Sequence, residues 1–163
     1  LGVTPENVRL NRYVRDLSRP GVFLDVLGGG LLDQLSRKPS SWGDDADGLA
    51  RRFGSRATQA AVQISVRHGL AAVMHRSTDY QPCDCHGFGP RIGHALLETF
   101  TDRGADGGRA FSVPRIAGAY AGGLSRLAWE PQRSVGDVAL STTLSLGFTA
   151  LFNVAGELTG LKR

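Results

Sequence analysis

The amino-acid sequence predicts an all-α fold, a compact bundle of four to six helices whose glycine and alanine faces pack closely. Two features carry this prediction. Residues 138–156 contain no charged side chain and lie between Asp137 and Glu157, and residues 114–129 repeat small side chains at four-residue spacing. Aromatic residues make up only 7% of the chain, whereas it has 22 glycines. This composition favours closely packed helices over broad sheets.

The length and charge of the chain limit its domain count and its partners. A chain of 163 residues fits one domain, 1–163, with residues 1–20 as a peripheral N-terminal arm. The net charge is +4, but basic residues never exceed two in a row and acidic residues are interspersed. Nucleic-acid-binding proteins concentrate basic groups on one face. We therefore expect no nucleic-acid partner.

The first two predicted helices are separated by Pro20-Gly21. Thr4-Pro5-Glu6 is typical of a helix start, because it joins a capping side chain to Pro and an acid in the first turn. The second segment, residues 22–38, is apolar on nearly every side but contains glycines at 28–30. Each glycine lowers helix propensity by about 1 kcal/mol relative to Ala, so this run indicates either a broken helix or a helix whose backbone abuts another. We favour the break.

A polar connector and the longest predicted helix follow. Asp45 and Asp47 have the spacing of a calcium loop, but Gly43 and Gly54 stand where further ligands are needed. We therefore expect a solvated turn in which an aspartate caps a helix over residues 48–75. Within that helix, two histidines at 68 and 75 lie on nearly one face, and we expect them to be packed and hydrogen-bonded rather than metal-bound.

Two later helices carry the small-residue pattern. One is predicted to open at Pro90, and another begins after the turn at residues 102–109, at Ser112-Val113-Pro114. We expect the latter to pack at the centre of the bundle against a small-residue face of the helix over residues 138–156. The candidate helix-packing residues are Ala117, Gly118, Ala121, Gly122, Ser125, Ser141, Ser145 and Thr149.

The uncharged segment itself has two interpretations. A helix over it would be about 28 Å long, close to the apolar thickness of a bilayer. Six of its residues are polar, however, and its large apolar residues fall at helical spacing: Leu140, Leu144, Phe148, Leu151 and Ala155. This favours a helix of a soluble or oligomeric bundle, with a membrane-embedded helix as the alternative.

The candidate metal ligands are Cys83, Cys85, His86 and His94, which place four suitable donors within twelve residues. The Cys-x-Cys spacing is one residue shorter than that of common zinc and haem-attachment motifs. A disulfide two positions apart would be strained, so free or intermolecularly paired thiols are favoured over both a metal site and a disulfide.

No motif identifies a reaction or a cofactor. Adjacent residues such as Cys85 and His86 rarely present a nucleophile and its base to one substrate. The glycines near Pro90 do not form a phosphate loop, because no apolar strand precedes them and Pro90 lacks the N–H that an anion requires. We therefore predict no catalytic residue and no cofactor.

One set of positions carries a family resemblance. The chain contains in order Trp42-Gly43, Ala46-Asp47-Gly48, Arg52-Phe53-Gly54-Ser55-Arg56, Phe88, Arg91, Arg109, Phe111, Arg115-Ile116, Gly118-Ala119, Gly122 and Trp129. This pattern, over residues 20–158, resembles a group of uncharacterised bacterial proteins that carry secretion signals. The resemblance implies small-residue-rich helices and a location in the cell envelope (periplasm or outer membrane) or outside the cell. It implies no activity, and the two cysteines are not part of it.

The function expected from the sequence is structural. We expect a non-enzymatic envelope-associated or extracellular protein that self-associates into a homo-oligomer through its small-residue helix faces, with membrane or lipid contact left open. The alternative is a small metal-binding protein or metalloenzyme centred on the four candidate ligands. A carrier of lipids or other hydrophobic ligands is a third interpretation.

Overall fold

The computed structural model describes residues 5–104, 107–130 and 132–160. Within these residues the chain is predominantly helical, which confirms the predicted all-α bundle. The α-helices are α1 (Pro5–Leu17), α2 (Pro20–Leu35), α3 (Ala46–Val73), α4 (Phe88–Phe100), α5 (Val113–Ser125) and α6 (Val135–Thr159). Short 3-10 helices cover Ser40–Trp42 and Arg126–Ala128.

A small antiparallel sheet is the part of the fold that the sequence did not predict. Its strands are β1 (Arg76–Ser77), β2 (Thr101–Gly104) and β3 (Arg109–Phe111), in the order β1-β2-β3. Thr101 pairs with Phe111 in the β2–β3 hairpin, around the segment predicted as a polar turn. The Arg115 guanidinium donates to the carbonyl oxygens of Thr99 at 2.6 Å and Thr78 at 3.0 Å. These bonds join α5 to α4 and to the residue that follows β1.

The helix α3 lies at the centre of the bundle and contacts α1, α2 and α5. Its N-terminus is capped as predicted, because Asp45 Oδ1 accepts a hydrogen bond from the Gly48 N–H at 2.9 Å. Its closest neighbour is α5. A Cβ added at Gly118 would lie 2.7 Å from the Gln63 carbonyl oxygen, and one at Gly122 would lie 2.7 Å from that of Gln59. The two backbones are therefore in direct contact.

The predicted break in α2 is wrong, because the helix is continuous through its three glycines. Gly30 is buried against the aromatic ring of Phe53, and a Cβ at Gly29 would lie 3.0 Å from Arg56 Nε. Packing against α3 therefore needs the absence of a side chain at Gly30, whereas at Gly29 the flexible end of Arg56 could move. The tertiary contact outweighs the loss of helix propensity.

The last helix, α6, covers the whole uncharged segment but lies at the edge of the bundle rather than at its centre. It begins with a capping box, in which Ser134 Oγ accepts from the Asp137 N–H at 3.1 Å and Asp137 accepts from the Ser134 N–H at 3.0 Å. α5 does contact α6, where Gly123 faces Val138 and Thr142. Most of the remaining circumference of α6 is exposed.

The polarity of the interior is unusual for a water-soluble bundle. The fully buried aliphatic side chains among the described residues are few and small. Buried polar and charged residues are more numerous, and they include Asp16, Arg52, Ser55, Glu98, Thr99, Asp102, Ser112, Arg126, Glu130, Thr142, Asn153 and Glu157. Large apolar residues are instead found on the outside, chiefly on α2 and α6. Polar networks therefore hold the helices together to an unusual degree.

Candidate functional site

The first candidate site joins the loop after β1 to α4 and α6. The loop supplies Cys83, α4 supplies His94, and α6 supplies Glu157 near its C-terminus. One potential ligand atom from each residue lies within 4.8 Å of the other two. We call these three residues the Cys-His-Glu cluster.

Cys83 is paired with Cys85 in a disulfide, so the predicted free or intermolecular thiols are wrong. The backbone of the loop brings the two Cα atoms to 5.1 Å, which lies within the range that disulfides require. The bridge therefore forms without contact to a distant part of the chain.

The carboxylate of Glu157 organises the cluster. Its Oε1 accepts a hydrogen bond from the Tyr80 hydroxyl and lies 2.8 Å from His94 Nδ1. Burial raises the pKa of Tyr80, and the hydrogen bond to Glu157 and the charge of that carboxylate raise it further. The other oxygen of Glu157, Oε2, is buried and has no hydrogen-bond partner. The cluster thus contains an incompletely satisfied buried carboxylate.

A second buried carboxylate lies on the other side of His94. Glu98 Oε1 is 3.8 Å from His94 Nε2 and accepts from Arg103 at 3.0 Å and from Arg109 at 2.6 Å. The arginines come from β2 and β3, so the hairpin fixes the carboxylate of Glu98, which follows His94 by four residues in α4. His94 therefore lies between two carboxylates that are held by different elements.

The structure brings together two of the four predicted metal ligands, Cys83 and His94, and Cys85 is joined to them through the disulfide. His86 is exposed and is not part of the cluster. Glu157 was not predicted as a ligand. The signal that could have found it is its position as the charged residue that ends the uncharged segment.

The second candidate site consists of two apolar helix faces, one on α6 and one on α2. The α6 face contains Leu140, Leu144, Phe148, Leu151 and Phe152, each more than half exposed. The α2 face contains Phe23, Leu24, Leu27, Leu31, Leu32 and Leu35, each at least half exposed. Clusters of large apolar side chains on this scale mark sites of contact with proteins or membranes.

The polar side chains around the α6 face are bonded to their own helix. Thr143 Oγ1 donates to the Ala139 carbonyl at 2.8 Å, and Thr149 Oγ1 donates to the Ser145 carbonyl at 2.9 Å. The Ser141 hydroxyl donates to the Val138 carbonyl at 3.2 Å. These hydroxyls have partners without water, which reduces the cost of placing them in an apolar medium.

A groove of about 670 Å³ lies between the end of α2 and the start of α6. Leu140 and Leu144 of the α6 face line one part of it, and Arg37, Lys38 and Arg133 line another. Arg37 and Arg133 have ion pairs with Asp44 at 3.0 Å and Glu130 at 2.7 Å, respectively. Asp33, Glu130 and Asp137 also line the groove. Charged side chains of both signs therefore border the apolar face at one end.

The predicted helix-packing residues are divided between the interior and the surface. Gly118 and Gly122 are buried against α3. Ala117, Ala121 and Ser125 are half-buried on α5. The remaining three, Ser141, Ser145 and Thr149, form an exposed stripe along α6 beside its apolar face.

An ion network fixes the position of α2 relative to the rest of the bundle. Asp33 accepts two 2.7 Å hydrogen bonds from Arg56 and one of 3.0 Å from Arg126. Burial opposes ionisation of Asp33, but the hydrogen bonds and charges of the two arginines outweigh it and lower its pKa. Arg126 also donates to Glu130 at 2.6 Å. This network joins α2, α3 and the segment that leads into α6.

Among the residues that the structure describes, α6 is the single helix whose length and composition would allow it to cross a membrane. The mean hydropathy of its most apolar part is 1.5, and 22% of that part is buried in the protein. No protein-family model matches the chain, and no curated protein or solved structure shows significant similarity to it.

Proposed function

We propose that the protein is a non-enzymatic, membrane-associated structural protein of a cell envelope, attached to lipid by the α6 face. The observation that carries this proposal is the exposure of Leu140, Leu144, Phe148, Leu151 and Phe152 on a helix that has no charged side chain from residue 138 to 156. α2 also exposes Asp25, so its face is the less continuous of the two.

Several features support lipid rather than water as the surroundings of the α6 face. Burial of a large apolar side chain contributes about 1.5–3 kcal/mol, so exposure of five on one helix is unfavourable in water. The neighbouring hydroxyls already have partners within the helix. The charged side chains at the groove lie at one end of the face, where lipid headgroups rather than hydrocarbon would meet them.

The packing of α6 favours a helix that lies in one leaflet over a helix that crosses the bilayer. Its buried side is bonded to α4, since Asn153 donates to Thr99 Oγ1 at 2.7 Å and Glu157 contacts His94. A crossing helix would carry these polar partners into the hydrocarbon. A helix that lies parallel to the membrane surface inserts only its apolar side chains into the lipid. Its polar contacts with α4 then stay inside the protein, as in interfacial amphipathic helices.

Flotation of the purified protein with lipid vesicles tests attachment. The triple variant Leu144→Ser/Phe148→Ser/Phe152→Ser removes three exposed side chains, and we expect it to bind vesicles at least about 100-fold more weakly than wild type. The matched control is Val73→Ser, which changes an exposed apolar side chain on α3 and should bind like wild type. Equal binding of the triple variant and wild type would contradict the proposal.

Light scattering in buffer without detergent or lipid distinguishes a second copy from a membrane. If the wild type forms a dimer that the triple variant loses, and neither binds vesicles, the α6 face is a protein interface and lipid attachment is wrong. A wild type that stays monomeric in buffer and does not bind vesicles would also contradict the proposal.

The self-association expected from the sequence is proposed in a narrower form. Gly118 and Gly122 already pack against α3. The stripe of Ser141, Ser145 and Thr149 is therefore the predicted small-residue face that stays available for contact with a second copy. Small side chains allow two helices to approach closely in lipid. Ser145→Leu should lower the cross-linked dimer fraction on vesicles without weakening vesicle binding. An unchanged dimer fraction would exclude the stripe from assembly.

A further inference from the structure

We propose that the Cys-His-Glu cluster becomes a binding site for a zinc-type divalent cation when the Cys83–Cys85 disulfide is reduced. Cys83, His94 and Glu157 would supply three ligands. Cys85 Sγ, which is bonded to Cys83 Sγ in the oxidised protein, is adjacent and would supply the fourth. This inference does not depend on membrane attachment.

The geometry of the cluster is close to that of a metal site. Its three ligand atoms lie within 4.8 Å of one another, although the residues are as much as 74 positions apart in the sequence (157 − 83). In a tetrahedral zinc site, bonds of about 2.0–2.3 Å place the ligand atoms roughly 3.3–3.8 Å apart. Side-chain movements on the order of 1 Å would therefore complete the site.

Glu157 provides an independent observation that points to a cation. It is 6% exposed, and its Oε2 atom is buried without a hydrogen-bond partner. An unsatisfied buried carboxylate oxygen is unfavourable, because it has lost its hydration without compensation. A cation bound to this oxygen would supply the missing interaction.

The surroundings of His94 also suit a metal ligand. Coordination through Nδ1, the nitrogen beside Glu157, leaves Nε2 facing Glu98 Oε1 at 3.8 Å. Metal-binding histidines usually donate their second N–H to a carboxylate or carbonyl, which orients the ring. Arg103 and Arg109 hold the Glu98 carboxylate in place. The hairpin thus positions the group that would orient the ligand.

The disulfide determines whether the site can form. A sulfur in a disulfide offers no thiolate, and zinc binds cysteine as the thiolate. Reduction by an external dithiol transfers two electrons and two protons to the disulfide, which gives two thiols and the disulfide of the donor. Binding of the cation then releases the two thiol protons to solvent. The oxidised protein would therefore lack the site.

The proposal is tested with the full chain, prepared in oxidised form and after reduction under nitrogen with removal of the reductant. Cobalt(II) is the probe, because its bonds to thiolate give charge-transfer absorption, and zinc is then added as a competitor. We expect the reduced protein to bind one equivalent of cobalt, and the oxidised protein to bind it at least about 100-fold more weakly. Equal binding in both forms, or no binding in the reduced form, would overturn the proposal.

Variants distinguish the proposed site from two thiols acting alone. In reduced protein, His94→Gln and Glu157→Gln should each weaken cobalt binding about 10-fold or more, whereas His86→Gln, at an exposed position outside the cluster, should not. If both cluster variants bind like wild type, the proposal is wrong. Helix content is compared by circular dichroism before titration.

Reactivity of the cysteines in the wild type gives a readout that needs no variant. Zinc should slow alkylation of Cys83 and Cys85 in the folded, reduced protein and should protect them much less in urea. Equal protection in the two states would assign binding to the bare thiols and overturn the proposal. Vesicle flotation of the same preparations is read separately, so failure of the metal site leaves the proposed attachment untouched.

Discussion

At the scale of single residues, buried charges are fixed by several partners each. Arg52 is 1% exposed and donates to the carbonyl oxygens of Lys38, Pro39 and Gly43 at 3.1, 3.0 and 2.8 Å. A fourth bond of 2.6 Å goes to Gln34 Oε1. The planar guanidinium suits this arrangement, because its donors point in fixed, different directions. One side chain thereby joins α3 to the end of α2 and the connector.

The neighbouring arginines at positions 51 and 52 allow a matched test. Arg52→Lys keeps a positive charge but cannot supply the same set of donors, so we expect it to lower the free energy of unfolding by about 2–4 kcal/mol. Arg51 pairs with Asp47 on the surface, and Arg51→Lys should change stability by less than about 0.5 kcal/mol. Urea unfolding followed by circular dichroism measures both. Similar losses in the two variants would contradict the role assigned to Arg52.

The acidic members of the ion network predict a loss of stability in acid. Burial opposes ionisation of Asp33 and Glu130, but Arg56 acting on Asp33, and Ser55 and Arg126 acting on Glu130, outweigh it and lower both pKa values from 3.8 and 4.5. A lowered pKa in the folded state stabilises the protein above the unfolded-state value, and this contribution is lost as pH falls through the folded-state value.

We therefore expect the free energy of unfolding to be nearly constant above about pH 6 and to fall from about pH 4.5 downward. Urea midpoints between pH 7 and pH 3 measure it. Asp33→Asn should be less stable than wild type at pH 7 and should lose less on acidification, because one of the titrating groups is absent. If the stability of Asp33→Asn fell as steeply with pH as that of wild type, Asp33 would not contribute to the loss of stability in acid.

At the scale of elements, the sequence predicted helices from local signals and failed where a distant contact decides. The Asp45 cap is local, and α3 begins close to its predicted position, whereas the cap at Ser134 was not predicted and α6 begins three residues before the predicted 138. Gly30 of the continuous α2 packs against Phe53, which lies 23 positions later (53 − 30) and belongs to no local pattern around Gly30. The sheet depends on long-range pairings such as that of Arg76 with Gly104. Helix and strand propensities depend on residues that are near in sequence, so they do not predict such long-range contacts.

The candidate site shows the same limit. Cys83 and His94 were predicted because they are near in sequence and have suitable ligand atoms. Glu157 reaches His94 from 63 positions away, so only the fold brings them together. Conversely, His86 adjoins Cys85 in sequence, but it is exposed and outside the cluster. Proximity in sequence therefore identified part of the cluster and added one residue that does not belong to it.

The glycine contacts between α3 and α5 give a prediction at this scale. In Gly122→Ala the new Cβ would lie 2.7 Å from the Gln59 carbonyl oxygen and 2.8 Å from Gln63 Cβ, so the helices must separate. We expect a loss of about 1–3 kcal/mol in the free energy of unfolding. Thermal and urea unfolding measure it.

Gly54 of α3 and Gly147 of α6 provide the controls, because an added Cβ meets nothing within 4 Å at either position. Alanine there should be neutral or stabilising by up to about 1 kcal/mol, since it favours the helix. If Gly122→Ala were as stable as Gly54→Ala, the close approach of α3 and α5 would not be required for folding.

At the scale of the whole molecule, polarity is distributed in the reverse of the usual order. Asn153 is buried and bonded to Thr99 at 2.7 Å, whereas Phe152, the preceding residue, is 73% exposed. Along α6 the polar residues Thr142, Asn153 and Glu157 thus face the protein, whereas several large apolar ones face outward. This arrangement is stable in lipid and costly in water. It predicts that replacing an exposed apolar residue of α6 changes the free energy of unfolding little, whereas replacing a buried polar residue lowers it.

In dilute buffer, Phe152→Gln should change the free energy of unfolding by less than about 0.5 kcal/mol, because an exposed side chain gains little from folding. Asn153→Leu should lower it by about 1–3 kcal/mol, because it removes the buried hydrogen bond that Thr99 Oγ1 accepts and forces a larger side chain into the contact. Urea unfolding measures both variants at several protein concentrations. A large, concentration-dependent loss in Phe152→Gln would mean that a second copy covers the α6 face in solution, whereas a loss independent of concentration would mean that the face is buried within one chain.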